Sequence, residues 1–458
     1  MIKNKKQLIA NGKTSKQRKI RRDILSILEE VINKINPENI IKNSVSLRGT
    51  KLKIENKNFD LSKYENIYVV GAGKATYYMA SALEDILGDK IKRGLINIPE
   101  ILNKKLKYIA INIASHPIPN KAGINGSKKI INILKNANKD DLVIVLMSGG
   151  GSALLPLPSE GISLTDLKFI SKLLVKSRAP IEDINIVRKH TSQIKGGRLI
   201  EASNPATTIS LYISDVVGDR LDTIASGPTV PDNSTFQEAI NVLKKHKIWS
   251  NISNSIKNYL KRGLKKKSLE TPKKDNKIFR TNKVFNYIIG SNQKALDVAC
   301  RKIDKLGYNC HILSSSLEGE VHDLAKILLA IAIKISKYGK PVKKPAILIA
   351  GGETTLDLKG DGFGGRNQEL VMAGTSSLKE GITIVSFATD GVDGKTPEPI
   401  AGVIADFGTL KKSQKKKINI DKYLANNDSY KYFKELDELI KTGYTGINVG
   451  DLIMICVV

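Results

Sequence analysis

The sequence predicts an α/β protein with two domains. Short apolar runs rich in β-branched residues alternate with longer stretches of helical periodicity, and several of the apolar runs end in glycine. The chain has 458 residues, which is long for one hydrophobic core and sufficient for two domains. Because alternating strands and helices form βαβ units, we expect mainly parallel sheets.

The first half of the chain contains the clearest strand–helix units. Residues 20–35 have helical periodicity, and residues 66–71 form a short apolar run that ends in glycine and precedes a helical stretch. The remaining predicted elements of this half are strands at 106–114, 141–147 and 207–214, and helices at 121–134, 163–176, 181–202 (broken near Gly196), 235–246 and 252–261.

A charged, nearly aperiodic segment at 261–283 is the best candidate for a linker, although a long surface loop within one domain is an alternative. After it the alternation resumes, with strands at 284–289, 308–313 and 346–350 and helices at 293–306 and 320–337. The predicted organisation is therefore a basic N-terminal extension (1–23), a first domain (24–260), a linker (261–283) and a second domain (284–458).

Composition narrows the class of protein. Hydrophobic residues make up 41% of the chain, as in globular proteins, and no apolar run approaches the ~20 residues that span a bilayer. The N-terminus lacks the apolar core of a signal peptide, so we expect a cytoplasmic protein. The net charge of +29 would suit a nucleic-acid surface, but only 5% of residues are aromatic and no basic–aromatic interleaving is visible. The three cysteines match no metal or redox motif, so we expect inert thiols.

Two glycine-rich loops follow predicted strands, at residues 71–74 (GAGK) and 148–152 (SGGGS). Glycines at a strand end let backbone N–H groups approach an anion, and the next helix adds a positive dipole. The loops therefore predict phosphate binding, with Lys74 holding a phosphate or carboxylate. For the loop at 71–74 the alternative is a plain turn with a surface lysine. For the loop at 148–152 the alternative is a flexible turn. Neither loop is a P-loop, and Thr76 replaces the sixth residue of a dinucleotide-binding fingerprint.

Acidic residues follow two further strands. Asp215 comes at the end of the strand at 207–214, and Asp219 follows it within SDVVGD. A carboxylate there could hold Mg²⁺ or accept a hydroxyl proton, but N-capping of the next helix is the alternative. Asp390 and Asp393 flank Gly391 after an apolar strand, which suits Mg²⁺ or a substrate hydroxyl, with an ordinary Asp-Gly turn as the alternative.

Two further motifs are GGETT at 351–355 and GDGFGGRNQE at 360–369. Together they predict a hairpin and then a glycine-rich loop that opens a helix. Arg366 at that helix start offers a planar fork for a carboxylate or a phosphoryl group. The alternative is a structural arginine paired with Glu369 or Asp361.

The order of these motifs resembles that of the glycerate 2-kinase family. The motifs are GAGKA, SHPIPN, LMSGGGSALL, SDVVGD with IASGPTVPD, GSNQKAL, GGETT, GDGFGGRNQE and TDGVDG. The similarity runs from about residue 24 to the C-terminus. The resemblance implies a MOFRL-associated N-terminal domain with a Rossmann-like, mainly parallel sheet. It also implies a second α/β domain that contains the MOFRL region, about residues 345–455, and an active site in the cleft between the domains.

The resemblance further implies transfer of the γ-phosphoryl group of ATP to the 2-hydroxyl of D-glycerate, with Mg²⁺, giving 2-phosphoglycerate and ADP. Lys74 and Arg366 fall on the family's principal catalytic or substrate-binding positions. We expect Asp215 to be a general base or metal ligand, with Asp219 as a second metal carboxylate. The residues expected to bind substrate or phosphate are Gly71, Gly73, Ser148, Gly149, Gly150, Gly151, Ser152, Gly352, Glu353 and Asp390.

An NAD(P)-dependent oxidoreductase of the hydroxypyruvate reductase type is the alternative function, because GAGK after a strand superficially suits a dinucleotide. The incomplete fingerprint argues against it. The expected partners are small molecules, D-glycerate and ATP, without a membrane or a specific nucleic acid. A homo-oligomer is compatible with the sequence, which leaves the oligomeric state open.

Overall fold

The computed structural model describes residues 1–100, 105–280 and 283–458. The chain separates into two compact units. We call residues 37–289 the N-terminal unit and residues 1–36 with 290–458 the C-terminal unit. Both units are α/β, which confirms the predicted fold class, but the boundaries differ from those expected at 23/24 and 283/284.

The N-terminal segment belongs to the C-terminal unit and forms two helices, α1 (Lys5–Ala10) and α2 (Ser15–Lys34). Arg21 in α2 is fully buried, and its guanidinium donates to Asp406 (Nε–Oδ2, 2.8 Å) and Glu438 (Nη1–Oε2, 2.7 Å). A buried arginine needs such partners, since burying an unpaired charge is very costly. Residues 1–23 are therefore not a separate basic extension, as expected from the sequence, but part of a core.

The described residues of the N-terminal unit form a small antiparallel sheet, a six-stranded main sheet and ten helices. The small sheet consists of β1 (Val45–Arg48), β2 (Lys51–Ile54) and β3 (Lys57–Asp60). The main sheet consists of β4 (Ile67–Ala72), β5 (Ile91–Ile98), β6 (Ile109–Ile113), β7 (Leu142–Met147), β8 (Thr207–Ile213) and β9 (Val284–Gly290). The helices are α3 (Pro37–Ser44), α4 (Thr76–Leu87), α5 (Lys121–Lys135), α6 (Gly151–Leu154), α7 (Leu164–Lys176), α8 (Ile181–His190), α9 (Arg198–Ser203), α10 (Phe236–Lys245), α11 (Asn254–Lys265) and α12 (Lys277–Arg280).

The main sheet has the strand order β6-β5-β4-β7-β8-β9. The first five strands in this order pair in parallel with their neighbours. This is the Rossmann-like order predicted from the resemblance. All six residues of β7 are buried, which explains its unbroken apolar sequence. The chain order reverses between β4 and β7, where ligands of open α/β sheets bind. The two glycine-rich loops leave the sheet at that point.

The segment predicted as a linker packs on the N-terminal unit. Thr271 is buried and donates to Asp232 (Oγ1–Oδ2, 3.0 Å), and Thr208 N donates to Lys283 O (2.7 Å) at the start of β9. β9 lies beside β8 in the main sheet, so residues 284–289 complete this unit rather than opening the second domain. Residues 281 and 282 of the expected linker lie outside the described residues.

The remainder of the C-terminal unit is a six-stranded mixed sheet with six helices. The strands are β10 (Asn309–Leu317), β11 (Ala346–Gly352), β12 (Ile382–Ala388), β13 (Gly402–Asp406), β14 (Leu439–Ile440) and β15 (Asp451–Val457). The helices are α13 (Asn292–Lys305), α14 (Val321–Tyr338), α15 (Arg366–Thr375), α16 (Phe407–Lys415), α17 (Ile420–Ala425) and α18 (Ser429–Leu436).

The strand order of this sheet is β10-β11-β15-β12-β13-β14. β10 and β11 run parallel, whereas the other neighbouring pairs run antiparallel, so the expectation of a mainly parallel sheet is wrong for this unit. β15 inserts between β11 and β12, and its first residue, Asp451, pairs with Gly352 on one side and Ala388 on the other. The C-terminal strand therefore delivers a carboxylate to the edge where β11 and β12 end. The predicted hairpin after residue 351 does not form, since residues 353–365 are an irregular loop with isolated bridges from Thr355 to Glu320 and from Gly364 to Lys395.

Cys300 of α13 and Cys310 of β10 form a disulfide, so the expectation of three inert thiols is wrong for these two residues. Cys456 is a buried thiol, and burial raises its pKa to about 12. Within the described ranges, no helix is both long enough and apolar enough to cross a membrane.

Candidate active site

The two glycine-rich loops of the N-terminal unit are fastened to each other. The Lys74 backbone N–H donates to Gly149 O (2.9 Å), and the Ala75 N–H donates to Ser148 Oγ (3.0 Å). Ser148 Oγ also lies 3.1 Å from Thr76 Oγ1. The loop at 148–152 is thus an ordered turn rather than a flexible one. The Ser148 hydroxyl, expected to contact phosphate, is buried and holds the first loop in place.

Three polar side chains approach the second loop so closely that only glycine fits. A Cβ on Gly149 would lie 2.1 Å from Asp215 Oδ2. A Cβ on Gly150, where φ is +85°, would lie 2.9 Å from His116 Cδ2 and 3.3 Å from Lys74 Cγ. Close approach and positive φ are the two conditions that require glycine. The loop therefore gathers a cation, an imidazole and a carboxylate around one short stretch of backbone.

Lys74 carries an uncompensated charge at this place. Its side chain is exposed, and no carboxylate of the described residues forms an ion pair with it. Burial lowers the pKa of His116, and the nearby charge of Lys74 lowers it further. At neutral pH the imidazole is thus uncharged, and Lys74 is the group that can attract an oxyanion to the loop.

Asp215 does not cap a helix, which removes the alternative interpretation of this residue. The short helical turn at 217–219 begins after Val216 and has no side-chain cap. The Asp215 carboxylate instead lies against Gly149. No group of three or more His, Cys, Asp or Glu side chains in the described parts of the chain could hold a metal ion. Magnesium in phosphoryl-transfer sites uses one or two carboxylates with substrate phosphates, so Asp215 and Asp219 are compatible with that coordination.

In the C-terminal unit, Arg366 is the first residue of α15 and is held by two carboxylates. Its Nε and Nη2 donate to Asp451 (2.7 and 3.2 Å), and its Nη1 donates to Glu353 (2.8 Å). Burial alone would lower the pKa of Arg366, but Asp451 and Glu353 raise it. Burial raises the pKa of Asp451 to about 6, against the opposing effect of Arg366. Arg366 therefore pairs with carboxylates other than Glu369 and Asp361, the partners named in the alternative interpretation, which was wrong about both.

The two aspartates of the TDGVDG motif have separate tasks. Asp393 is buried, and its carboxylate accepts from the backbone N–H groups of Asn367 (3.0 Å) and Gln368 (2.8 Å) at the start of α15. Asp393 therefore fixes the helix that presents Arg366. Asp390 Oδ1 accepts from Val392 N (3.0 Å), as in an ordinary aspartate turn.

A cavity of about 750 Å³ lies beside Arg366 in the C-terminal unit. Its ionisable lining is predominantly acidic, so Arg366 and Lys395 face an excess of carboxylates. The ionisable residues of its wall are Glu353, Asp361, Arg366, Asp390, Asp393, Lys395 and Asp451. Gly352, expected to bind substrate, does not line this cavity but pairs with Asp451 across the sheet.

Several residues of these two sites were missed by reasoning from the sequence. Asp451 follows Gly450 and opens an apolar run, so its only signal is an acidic residue at a strand start. His116 lies within the SHPIPN motif, whose order along the chain supported the resemblance without suggesting a role. Lys195 and Arg188, described below, lie in a segment predicted as one broken helix.

Comparison with known proteins identifies the family. The domain family described as "Domain of unknown function (DUF4147)" matches residues 23–261, and the MOFRL family matches residues 346–451. The chain is 39% identical over 432 residues to the glycerate 2-kinase of Pyrococcus horikoshii, covering 94% of this chain and 96% of that protein. It is 38% identical over 423 residues to the D-glycerate 2-kinase of Thermotoga maritima, covering 91% and 96%. The chain belongs to the glycerate 2-kinase family.

Solved structures agree with this membership of the glycerate 2-kinase family. A crystal structure of a Pyrococcus horikoshii OT3 protein has a TM-score of 0.87 and 39% identity, covering 96% of this chain and 98% of that one. The crystal structure of a Thermotoga maritima glycerate kinase has a TM-score of 0.84 and 36% identity, covering 96% and 100%. A protein of Agrobacterium vitis named as a putative hydroxypyruvate reductase is 36% identical over 390 residues, covering 84% of this chain and 97% of that protein.

Proposed function

We propose that the protein is an ATP-dependent glycerate 2-kinase that phosphorylates the 2-hydroxyl of D-glycerate and releases 2-phosphoglycerate and ADP. The observation that carries the proposal is the gathering of Lys74, His116 and Asp215 around the glycine-rich loop at 148–150. This loop lies where β4 and β7 end, the place where open α/β sheets bind ligands. Phosphoryl transfer depends mainly on positioning and charge, and this place offers both.

In the proposed reaction, the 2-hydroxyl oxygen attacks the γ-phosphorus and the bond to the ADP oxygen breaks. Lys74 would stabilise the negative charge on the transferred group, since its ammonium has no carboxylate partner among the described residues. Asp215 would accept the proton that the 2-hydroxyl loses, because its carboxylate lies at the same loop without capping a helix.

Arg366 is proposed as the principal cation of the C-terminal unit. The fork of its guanidinium is fixed by Asp451 and Glu353, and Asp393 fixes the helix on which it stands. A guanidinium held in this way is pre-organised, so little conformational entropy is lost when it donates to an anion. Glu353 and Asp390, which line the same cavity, remain the proposed substrate contacts of this unit.

ATP and Mg²⁺ are the proposed phosphoryl donor and metal. As the alternative to its role as proton acceptor, Asp215 would hold Mg²⁺ together with Asp219 beside the glycine-rich loop. Bound Mg²⁺ would neutralise part of the phosphate charge. The backbone N–H groups of Gly149 and Gly150 would contact the phosphates, as is typical of glycine-rich strand ends, because those of Gly73 and Lys74 already donate to Asn97 O (3.2 Å) and Gly149 O (2.9 Å).

The kinase is tested by measuring ADP release with Mg²⁺ and ATP, in the presence and absence of D-glycerate. We expect ADP to appear only when D-glycerate is present. A parallel reaction with hydroxypyruvate and NADH, monitored by NADH absorbance, tests the reductase named for one relative. NADH consumption without glycerate-dependent ADP release would contradict the proposal.

A further inference from the structure

A second cavity, of about 220 Å³, lies within the N-terminal unit beside the glycine-rich loop. It is smaller than the ~300–1,000 Å³ typical of sites for drug-sized ligands, so it suits a small molecule. Its lining combines apolar residues with cations and hydroxyls. The apolar lining residues are Pro117, Pro119, Ala153, Pro156, Leu157 and Leu167. The polar lining residues are His116, Ser152, Ser171, Arg188, Ser192 and Lys195, and no acidic residue lines the cavity among the described residues.

Lys195 is a buried ammonium that forms no ion pair with any of the described residues. Its side chain is 4% exposed, and its Nζ donates to the carbonyl oxygen of Ser152 (2.9 Å). Burial lowers its pKa to about 7, and the charge of Arg188 lowers it further. Burial also lowers the pKa of Arg188. Two cations facing one cavity without a carboxylate are costly unless an anion joins them.

The neighbouring Lys189 shows what this unit does with a buried lysine that has a structural role. Lys189 is as buried as Lys195, at 5% exposure, but its Nζ lies 3.2 Å from Asp232 Oδ1. Asp232 thus balances the charge of one of these two buried lysines, whereas no carboxylate of the described residues pairs with the other. This difference within seven residues of chain indicates that the partner of Lys195 and Arg188 comes from outside the protein.

The cavity adjoins the loop at which the proposed phosphoryl transfer takes place. Gly150 and His116 line the cavity. A Cβ built on Gly150 would lie 3.3 Å from Lys74 Cγ. The cavity that contains Lys195 and Arg188 therefore borders the same glycine that Lys74 approaches. A three-carbon hydroxy acid, with a carboxylate on one carbon and a hydroxyl on the next, has one group for each of these two places.

We propose that Arg188 and Lys195 bind the carboxylate of the hydroxy acid that accepts the phosphoryl group. This inference rests on the proposed function, and it names the part of that site that selects an acid over a neutral alcohol. The Ser171 hydroxyl also lines the cavity, and the apolar lining residues suit the carbon chain.

The test compares Lys195→Met, Arg188→Met and Arg188→Lys with the wild type, and Lys176→Met serves as a matched control because Lys176 is an exposed lysine of the same unit. Steady-state kinetics are measured with D-glycerate and with its amide, which has the same size without the charge. We expect the KM for D-glycerate to rise at least about tenfold in both Met variants, the scale of a lost charged hydrogen bond. The KM for ATP should change less than about twofold, and the preference for acid over amide should fall by the same factor.

A rise in the KM for ATP with an unchanged KM for D-glycerate would overturn the proposal, because the cavity would then hold a nucleotide phosphate. Unchanged values for both substrates would overturn it as well. Arg188→Lys keeps one charge and the half-exposed position, so it stays informative if Lys195→Met does not fold.

Calorimetric titration of the full-length wild type and variants with D-glycerate, and separately with inorganic phosphate, separates this proposal from the kinase proposal. Wild-type binding of D-glycerate that is lost in Arg188→Met and partly kept in Arg188→Lys supports the carboxylate site even if no ADP is ever released. Wild-type affinity for inorganic phosphate alone would contradict it.

Discussion

The cations of the two units differ in how their charge is balanced. In the N-terminal unit, Lys74 and Lys195 form no ion pair with a carboxylate of the described residues, and the cavity beside them has no acidic lining. In the C-terminal unit, Arg366 is paired with Asp451 and Glu353 in a cavity with an excess of carboxylates. This difference shows that a cationic residue in a sequence motif is not always available to bind an anion, because carboxylates of the protein can already be paired with it.

Unpaired and paired cations have different energetic consequences. An unpaired buried cation is costly to the free protein, and an incoming anion removes that cost, so such a residue contributes directly to ligand affinity. A paired arginine is already satisfied, and what it offers is a fixed orientation. We therefore expect Lys74, Arg188 and Lys195 to matter for function more than for stability, and Arg366 to matter for both.

The largest expected effect is loss of turnover in Lys74→Met and Arg366→Met. Each variant removes a cation proposed to stabilise the transferred phosphoryl group, so we expect kcat to fall by about 10³-fold. The two variants should differ in stability. Arg366→Met leaves the buried Asp451 without its partner, which should lower the free energy of unfolding by about 1–3 kcal/mol, whereas Lys74→Met should be nearly neutral. Urea unfolding measures this difference. Equal free energies of unfolding in the two variants would contradict the distinction between the paired Arg366 and the unpaired Lys74.

Arg21 sharpens the comparison because it is a paired cation of the C-terminal unit that lines neither cavity described above. Arg21→Met leaves Asp406 and Glu438 buried without a countercharge. We expect a loss of about 3–5 kcal/mol in the free energy of unfolding. Activity measured below the unfolding transition should be unchanged. Reduced kcat in a fully folded Arg21→Met protein would show that pairing does not separate structural from functional cations.

A smaller effect on activity is expected at the glycine-rich loop. Gly150→Ala adds a Cβ 2.9 Å from His116 Cδ2, so the imidazole or Lys74 must move. A displacement of about 1 Å costs roughly 10²-fold in rate. Gly161→Ala is the matched control, because its φ of +80° imposes the same backbone strain while no heavy atom lies within 4 Å of the added Cβ. Equal losses of kcat in the two variants would attribute the effect to strain alone.

The smallest effect is a pH dependence. In the free enzyme the pKa of Lys195 is lowered to about 7, so the ammonium is present below this pH and is lost as the pH rises through it. We expect kcat/KM for D-glycerate, which reports the free enzyme, to fall above about pH 7. Arg188 stays charged throughout, and the lowered pKa of His116 places its titration on the acid side. The pH profile of Lys195→Met should lack the alkaline decline, and a persistent decline would point to another group.

The glycine-rich loops could be predicted from the sequence because they are local features. An apolar run, a glycine turn and a helix are contiguous, and the structure retains them at β4 and β7. The first five strands of the main sheet pair in parallel, as the alternation of strands and helices predicted, whereas the Rossmann-like arrangement was implied by the family resemblance. β5 was missed because its sequence, IKRGLINI, mixes charges and a glycine with its apolar residues.

The features that could not be predicted depend on contacts between distant parts of the chain. Arg366 and Asp451 are 85 residues apart, and Arg21 and Glu438 are 417 residues apart. No local sequence pattern shows that β15 inserts between β11 and β12. Nor does any local pattern show that β9 joins the main sheet of the N-terminal unit. The cationic cavity likewise combines residues from the loop at 116–119, from α6 and from α8.

The position of the new phosphate is the most direct test of the central claim. Purified protein is incubated with ATP, Mg²⁺ and D-glycerate, and the product is given to enolase, which dehydrates 2-phosphoglycerate but not 3-phosphoglycerate. Absorbance of phosphoenolpyruvate at the level of the ADP released is the predicted result. Stoichiometric ADP with no phosphoenolpyruvate until a phosphoglycerate mutase is added would place the phosphate on the 3-hydroxyl and contradict the proposed reaction.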